Sequence, residues 1–310
     1  MAGGTRFAFL LLSETEAHTL ERRVTVIRTR MAVLILALLI PFTACAGDIH
    51  SDLMKAAKKG NTATIQALLS KGADVNARDR NSTTALMFAA MTGLTAPVEA
   101  LLTRGADVNA RDKNGKTALM FATMESPTPI VQTLLNAGVD VHAKDKNGTT
   151  ALMFAAMGDY PGRVQALLAR GADVNARDRN DATALMFAAT TGLTSPVQAL
   201  LAKGADVNAR DKNDATALMF AAVKSPAAVV RALLIKDTDV NAEDKDGKTA
   251  LVFAAMRRHT EVVRVLLDAG ADASGLEKYG KTASGWNLGP ADVVGIIDFI
   301  IYVIDDLDEW

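Results

Sequence analysis

The chain has 310 residues, of which 49% are hydrophobic and 22% charged, and its formal net charge is −1. This composition is typical of a folded protein and excludes an intrinsically disordered chain. The near balance of charge gives no overall attraction to nucleic acid, and the single cysteine, Cys45, excludes an internal disulfide.

Residues 1–46 form a predicted leader segment that does not share the pattern of the rest of the chain. Basic residues up to Arg30 precede the apolar run Met31–Ile40 and a group of small residues, an order typical of a secretory signal. Thr43-Ala44-Cys45 resembles a bacterial lipobox with Cys45 as the lipidated first residue, while Ala44-Cys45-Ala46 also fits ordinary cleavage before Gly47. We therefore expect an exported protein, either periplasmic or anchored to the envelope as a lipoprotein. The alternative is an uncleaved anchor or a buried helix.

From Asp48 onward the sequence repeats with a period of 33 residues. An aspartate, which mostly opens the pattern Asp-Val-Asn-Ala, recurs without insertion at Asp74, Asp107, Asp140, Asp173, Asp206, Asp239 and Asp272. The pattern Thr-Ala-Leu-Met-Phe-Ala-Ala stands between these aspartates and begins at Thr84, Thr150, Thr183 and Thr216. A fixed period of about 20–50 residues indicates a solenoid, whose stacked units bury together the apolar faces that none can bury alone.

One unit, Asn180–Lys212, predicts two short helices and a turn-rich connection. Thr183 suits a helix N-cap, and Ala184–Ala189 is rich in residues that favour helix. Pro196 stands where a second helix begins, and Gly204 stands just past its end. The polar residues after that glycine predict an extended finger that leads to the next unit.

With this period and these motifs, the chain resembles the ankyrin repeat family. The resemblance implies an all-α repeat solenoid, a stack of helix–turn–helix units with β-turn or hairpin fingers. Residues 48–80 are expected to form an N-terminal capping repeat and 81–278 six full repeats. Residues 279–310 are expected to form a C-terminal capping repeat with an apolar helix and an acidic tail.

The repeats depart from the family pattern in two places. Thr-Ala-Leu-Met, as at Thr84–Met87, replaces the usual Thr-Pro-Leu-His, so the bracing that the proline and histidine normally provide must be replaced or lost. Asp237 replaces the glycine that closes the second helix in the other units, and Thr238 replaces the following alanine. We expect the junction after Leu234 to be the weakest in the stack.

The resemblance implies a non-enzymatic protein–protein interaction scaffold that binds its partner through the fingers and the exposed face of the first helices. We predict no catalytic, cofactor or metal site. The residues Gly275–Thr282 fit a phosphate-binding loop, but the apolar segment before them is a repeat helix and such a loop needs a strand there. The four histidines are scattered through the sequence and show no metal-ligand spacing.

The fingers carry two basic columns, meaning positions that are cationic in successive repeats. The first basic column consists of Arg78, Arg111, Lys144, Arg177 and Arg210. The second basic column consists of Arg80, Lys113, Lys146, Arg179, Lys212 and Lys245. Aspartates lie between the two. The columns indicate either solvated, self-compensated charge or a ladder that faces an acidic or extended protein partner.

A methionine column at Met91, Met124, Met157 and Met256 predicts either adaptable apolar contacts with the partner or packing between neighbouring repeats. We expect a monomer that touches a membrane only through the leader or a lipidated Cys45, and that binds no nucleic acid. The alternative function is a structural protein that self-associates through the apolar C-terminal helix.

Overall fold

The computed structural model describes residues 48–158, 160–224, 226–235, 237–274 and 276. The predicted leader, Cys45 and the predicted C-terminal cap at 279–310 lie outside these described residues. Between residues 48 and 270 the described chain forms fourteen helices in seven pairs. They are α1 Ile49–Lys58, α2 Thr62–Ser70, α3 Ala85–Ala90, α4 Thr95–Thr103, α5 Ala118–Glu125, α6 Thr128–Asn136, α7 Ala151–Ala156, α8 Pro161–Ala169, α9 Ala184–Ala189, α10 Thr194–Leu201, α11 Ala217–Lys224, α12 Ala227–Leu233, α13 Ala250–Met256 and α14 Thr260–Asp268.

The helices form two parallel layers, which confirms the predicted all-α solenoid. From α3 onward each first helix packs against the first helix of the next repeat, and from α2 onward each second helix packs against the next second helix. Leu86, Met87 and the alanines Ala89 and Ala90 of the first full repeat are at most 1% exposed. Because alanine has no bulk beyond its Cβ, the first helices approach closely, and the core runs along the stack as one continuous layer.

The methionine of Thr-Ala-Leu-Met takes part in capping its own helix. In α7, α9 and α11 the Sδ atoms of Met153, Met186 and Met219 accept the backbone N–H of the N-cap threonine, each at 3.4 Å. A thioether is a weak acceptor, but these atoms are buried, so the bond satisfies an N–H that would otherwise be orphaned. Methionine thus supplies a bond to the N-cap backbone in these three repeats.

The second helix of the repeat Asn213–Lys245 ends differently from the others. Elsewhere a glycine of positive φ closes the helix, as Gly204 does with φ 81°. Here α12 ends earlier, at Leu233, and the Thr238 hydroxyl donates to the Leu233 carbonyl at 2.6 Å while accepting the Ile235 N–H at 3.1 Å. The threonine side chain therefore supplies a closure that the glycine supplies in neighbouring repeats.

A buried arginine, Arg163, lies at the start of α8. It is 1% exposed and occupies the register position of Ile130, Val229 and Val262. Its Nη1 donates to the Thr123 carbonyl in the preceding repeat at 2.6 Å, and its guanidinium carbon lies 3.7 Å from the centre of the Tyr160 ring. Burial lowers the pKa of Arg163 below its ordinary value, and Tyr160 opposes part of that shift. The side chain still fills a core position and joins two repeats.

Arg258 holds a backbone conformation that other repeats assign to glycine. Its φ is 57°, whereas Gly93 and Gly192 stand at the same register position with φ 79°. The Arg258 and His259 N–H groups donate to the Ala255 and Ala254 carbonyls, each at 3.0 Å, and this left-handed turn closes α13.

We expect Arg258→Gly to raise the free energy of unfolding by about 0.5–1 kcal/mol, because glycine adopts positive φ without steric cost. Urea unfolding followed by circular dichroism measures the change. Arg257→Gly is the matched control, since Arg257 has φ −94°, where glycine brings only its entropic cost. A lower midpoint for Arg258→Gly would contradict the prediction.

No helix among the described residues is long and apolar enough to cross a membrane.

Candidate binding surface

Each finger is a tight turn built around one aspartate. In the first finger the Asp79 Oδ1 atom accepts the N–H groups of Asn81 and Thr83, each at 2.8 Å, and the Asp79 N–H donates to the Thr83 carbonyl at 3.0 Å. The same side-chain bonds recur at Asp112, Asp145, Asp178, Asp211 and Asp244. An aspartate that bonds to its own backbone in this way favours a turn, so the interleaved carboxylates are used within their fingers.

The first basic column ties each finger to the next. Arg78 donates to the Arg111 carbonyl at 2.9 Å, Lys144 to the Arg177 carbonyl at 2.9 Å and Arg177 to the Arg210 carbonyl at 2.8 Å. Arg111 donates in the same way to the Lys144 carbonyl, and Arg210 donates to the Glu243 carbonyl at 3.0 Å. Every member therefore reaches the residue 33 positions further on, and its polar head bonds within the stack.

The second basic column is fixed through its backbone and leaves its side chains free. The N–H groups of Lys113, Lys146, Arg179 and Lys212 donate at 2.8 Å to asparagine carbonyls of the preceding finger, and that of Lys245 does so at 3.0 Å. All six side chains, including Arg80, are exposed. Among the described residues, none of these six cations has a side-chain hydrogen bond or an ion pair. The two columns, alike in sequence, differ in what their charges touch.

An asparagine column adds a third tie between fingers. The Asn76 Oδ1 atom accepts the Asp107 N–H at 2.7 Å, and its Nδ2 donates to the Gly105 carbonyl at 3.2 Å. The Oδ1 bond recurs from Asn109, Asn175, Asn208 and Asn241 to the leading aspartate of the following repeat. His142 occupies this position in the middle of the stack.

The histidine interrupts the asparagine column. Within the described chain no bond joins the His142 side chain to Asp173, and a cavity of about 60 Å³ lies between these fingers. Its lining includes His142, Lys144 and Asp173. The geometry of an imidazole ring differs from that of a carboxamide, so this junction lacks a bond that five others have.

We expect His142→Asn to raise the free energy of unfolding by about 0.5–1.5 kcal/mol, because it restores a donor and an acceptor between two fingers. Urea unfolding of the variant measures the gain. His142→Ala serves as the control, since it removes the ring without supplying the carboxamide. Equal midpoints for the two variants would show that the asparagine bond contributes nothing here.

The methionine column lies at the C-terminal ends of the first helices. Met124 and Met256 belong to α5 and α13, and Met91 and Met157 directly follow α3 and α7. Met124, Met157 and Met256 are 42%, 41% and 57% exposed, while Met91 is half-buried. The Lys116 Nζ atom, from a finger, lies 3.9 Å from the Met124 Sδ atom. At this repeat a finger side chain therefore reaches the methionine column.

A phenylalanine column accompanies the methionines, and sequence reasoning missed it. One phenylalanine recurs every 33 residues, at Phe88, Phe121, Phe154, Phe187, Phe220 and Phe253. Phe154 is 9% exposed and the other five are half-buried. The Lys116 Nζ atom lies 5.0 Å from the Phe154 ring centre and 5.8 Å from that of Phe121, so these two rings lie close to a finger side chain. The regular spacing of an aromatic residue was the available signal.

Two finger carboxylates have perturbed acidity. A hydrogen bond from the Lys248 side chain lowers the pKa of Asp246, and the charge of Lys248 adds to this. The backbone N–H of Ser274 lowers the pKa of Asp272, and the Ser274 hydroxyl adds a second bond. Both shifts favour the ionised carboxylate. Within the described part of the chain, no group of His, Cys, Asp and Glu could hold a metal ion.

The fold and this surface define a class: a repeat solenoid that presents a long, regular surface of fingers and first helices. The chain matches the family described as ankyrin repeats (3 copies) over residues 53–145, 126–211, 152–244 and 218–285. These overlapping matches cover more than half of the chain, and the protein belongs to the ankyrin repeat family. Ankyrin repeats indicate a protein–protein interaction scaffold. A comparison with curated proteins finds no match.

Proposed function

We propose that this protein is an exported interaction scaffold that binds a protein partner along the fingers and the first-helix face. The observation that supports this proposal is the contrast between the two basic columns. Arg111 and Arg177 bond to the next finger, whereas Lys113 and Arg179, two residues further on, hold their charges in solvent. The exposed cations of the second basic column have no side-chain bond within the described stack, and Lys116, three residues after Lys113, lies near the Met124 sulfur and the Phe121 and Phe154 rings.

A charge-matched pair of variants tests the site. In the first variant Lys113, Lys146, Arg179 and Lys212 become serine; in the control Lys58, Lys59, Lys71 and Lys203, which are exposed away from the finger tips, become serine. Partners are captured by the full chain from an envelope extract, and the affinity of each is measured for both variants. We expect the first variant alone to lose affinity, and we expect binding to weaken as salt rises. Equal loss in both variants would refute this site.

Export is the second part of the proposal, and the order of basic, apolar and small residues in 28–47 supports it. Intact-mass measurement of protein from its native host tests it. Cleavage before Cys45 with a lipid mass increment, abolished by Cys45→Ala, supports a lipoprotein, and cleavage before Gly47 supports a periplasmic protein. A mass that still includes Met31–Ala44 would contradict export by cleavage.

We also propose that the scaffold acts as a monomer. Light scattering of the full chain over a hundredfold range of concentration tests this. A mass that rises with concentration, and falls on deletion of residues 290–310, would favour the self-associating alternative.

A further inference from the structure

We infer that the second basic column selects a proline-rich acidic segment, a polyproline II helix that carries a carboxylate at every third residue. This inference rests on the proposed function, because it names the chemistry of the partner for the same surface.

The spacing of the cations is fixed by the stack. The backbone bonds of Lys113, Lys146, Arg179, Lys212 and Lys245 to the preceding finger are 2.8–3.0 Å long, and the first basic column adds a side-chain bond across each of the same junctions. Finger tips therefore follow the period of the packed helices, which is about 8–10 Å. From Lys113 to Lys245 the five members share this backbone bond, so their side chains start from equivalent backbone positions.

An extended strand does not match this row. Residues on one face of a strand recur at about 6.7 Å or, skipping one, about 13 Å. An α-helix repeats at about 10.5 Å over seven residues, but its face drifts by about 20° per heptad. Over the five steps that join six cations, that drift carries later carboxylates about 100° away from the row.

A polyproline II helix matches both the distance and the direction. It has three residues per turn and rises about 9.3 Å per turn, so every third side chain points the same way without drift. The occupant is already extended before binding, so little conformational entropy is lost. Aromatic side chains are a common way to bind such helices, and the Phe121 and Phe154 ring centres lie 5.8 and 5.0 Å from the Nζ atom of the finger residue Lys116.

Charge complementarity agrees with an acidic occupant. The six cations have no side-chain partner among the described residues, and the neighbouring aspartates such as Asp112 and Asp178 already accept two backbone N–H groups each. A carboxylate facing each of six fingers would therefore meet an available cation at each step.

The test uses fluorescein-labelled peptides and the full chain, with fluorescence anisotropy at low and physiological salt. The probe is (Glu-Pro-Pro)6. A block peptide of six glutamates followed by twelve prolines has the same composition, and (Glu-Pro)6 has the same charge at a shorter period. We expect the probe to bind at least about tenfold more tightly than either control peptide, since several weak pairs act together only in register.

The charge-matched variants complete the test. Serine at Lys113, Lys146, Arg179 and Lys212 should weaken binding of the probe about tenfold or more, and the control at Lys58, Lys59, Lys71 and Lys203 should leave it within twofold. Circular dichroism and thermal unfolding confirm that both variants fold. Equal affinity for the three peptides, no measurable binding of the probe, or equal loss in both variants would overturn the inference. A native partner that is released by the first variant but does not compete with the probe would overturn it while leaving the proposed function intact.

Discussion

Replacing Arg163 with alanine should lower the free energy of unfolding by about 2–4 kcal/mol. The side chain is 1% exposed and fills a position that other repeats give to Ile130, Val229 or Val262. Truncation would leave a cavity under α8 and would also orphan the Thr123 carbonyl, to which Arg163 donates at 2.6 Å. The exposed ring of Tyr160 would lose the guanidinium on which it stacks.

The urea midpoint, followed by the helical circular dichroism signal, measures this loss. Arg231→Ala is the control, since Arg231 forms an exposed ion pair with Glu261 at 2.9 Å, and such pairs contribute about 0–1 kcal/mol. Arg163→Met separates the two causes, because methionine keeps the apolar volume and removes the donor. An Arg163→Ala midpoint no lower than that of the control would show that the buried guanidinium costs as much to desolvate as it contributes.

Removing two members of the first basic column together should lower the free energy of unfolding by about 1–3 kcal/mol. Arg111→Ser with Arg177→Ser breaks two charged hydrogen bonds between neighbouring fingers. In a solenoid each repeat contacts only its neighbours, so weakening two junctions should lower the midpoint and broaden the transition.

The second basic column provides a matched control for this prediction. Lys113→Ser with Arg179→Ser removes the same charge from the same two fingers, but only the backbone N–H groups of these residues bond within the stack. We expect the free energy of unfolding of this variant to stay within about 0.5 kcal/mol of that of the parent chain. Equal loss in the two pairs would mean that net charge, and not the bond to the next finger, sets the stability. These pairs also separate stability from binding, which a variant that mixes both columns does not.

The parts of the fold that the sequence predicted depend on interactions between residues close in the chain. The period of 33 residues defines the repeated unit. Within a unit, the threonine N-caps and glycines such as Gly204 act on backbone groups only a few residues away. Helix starts and ends follow from such contacts, because an N-cap hydroxyl such as that of Thr150 accepts the N–H three residues further on and a left-handed glycine closes its own turn. The helix pairs predicted from Thr183, Pro196 and Gly204 are present at Ala184–Ala189 and Thr194–Leu201. The early end of α12 was not predicted, because it depends on where the Thr238 hydroxyl turns.

The sequence by itself determined that this protein is an ankyrin solenoid with two cationic columns on its fingers, because a repeated pattern implies a repeated unit that must stack. Only the tertiary structure decided what each column does. Arg78 and Arg80 are chemically alike and two residues apart, yet the first reaches a carbonyl 33 positions away and the second reaches solvent. The burial of Arg163 and the gap at His142 are also settled by the neighbouring repeat. Contacts across that distance in sequence depend on how closely the repeats pack, which no residue specifies for itself.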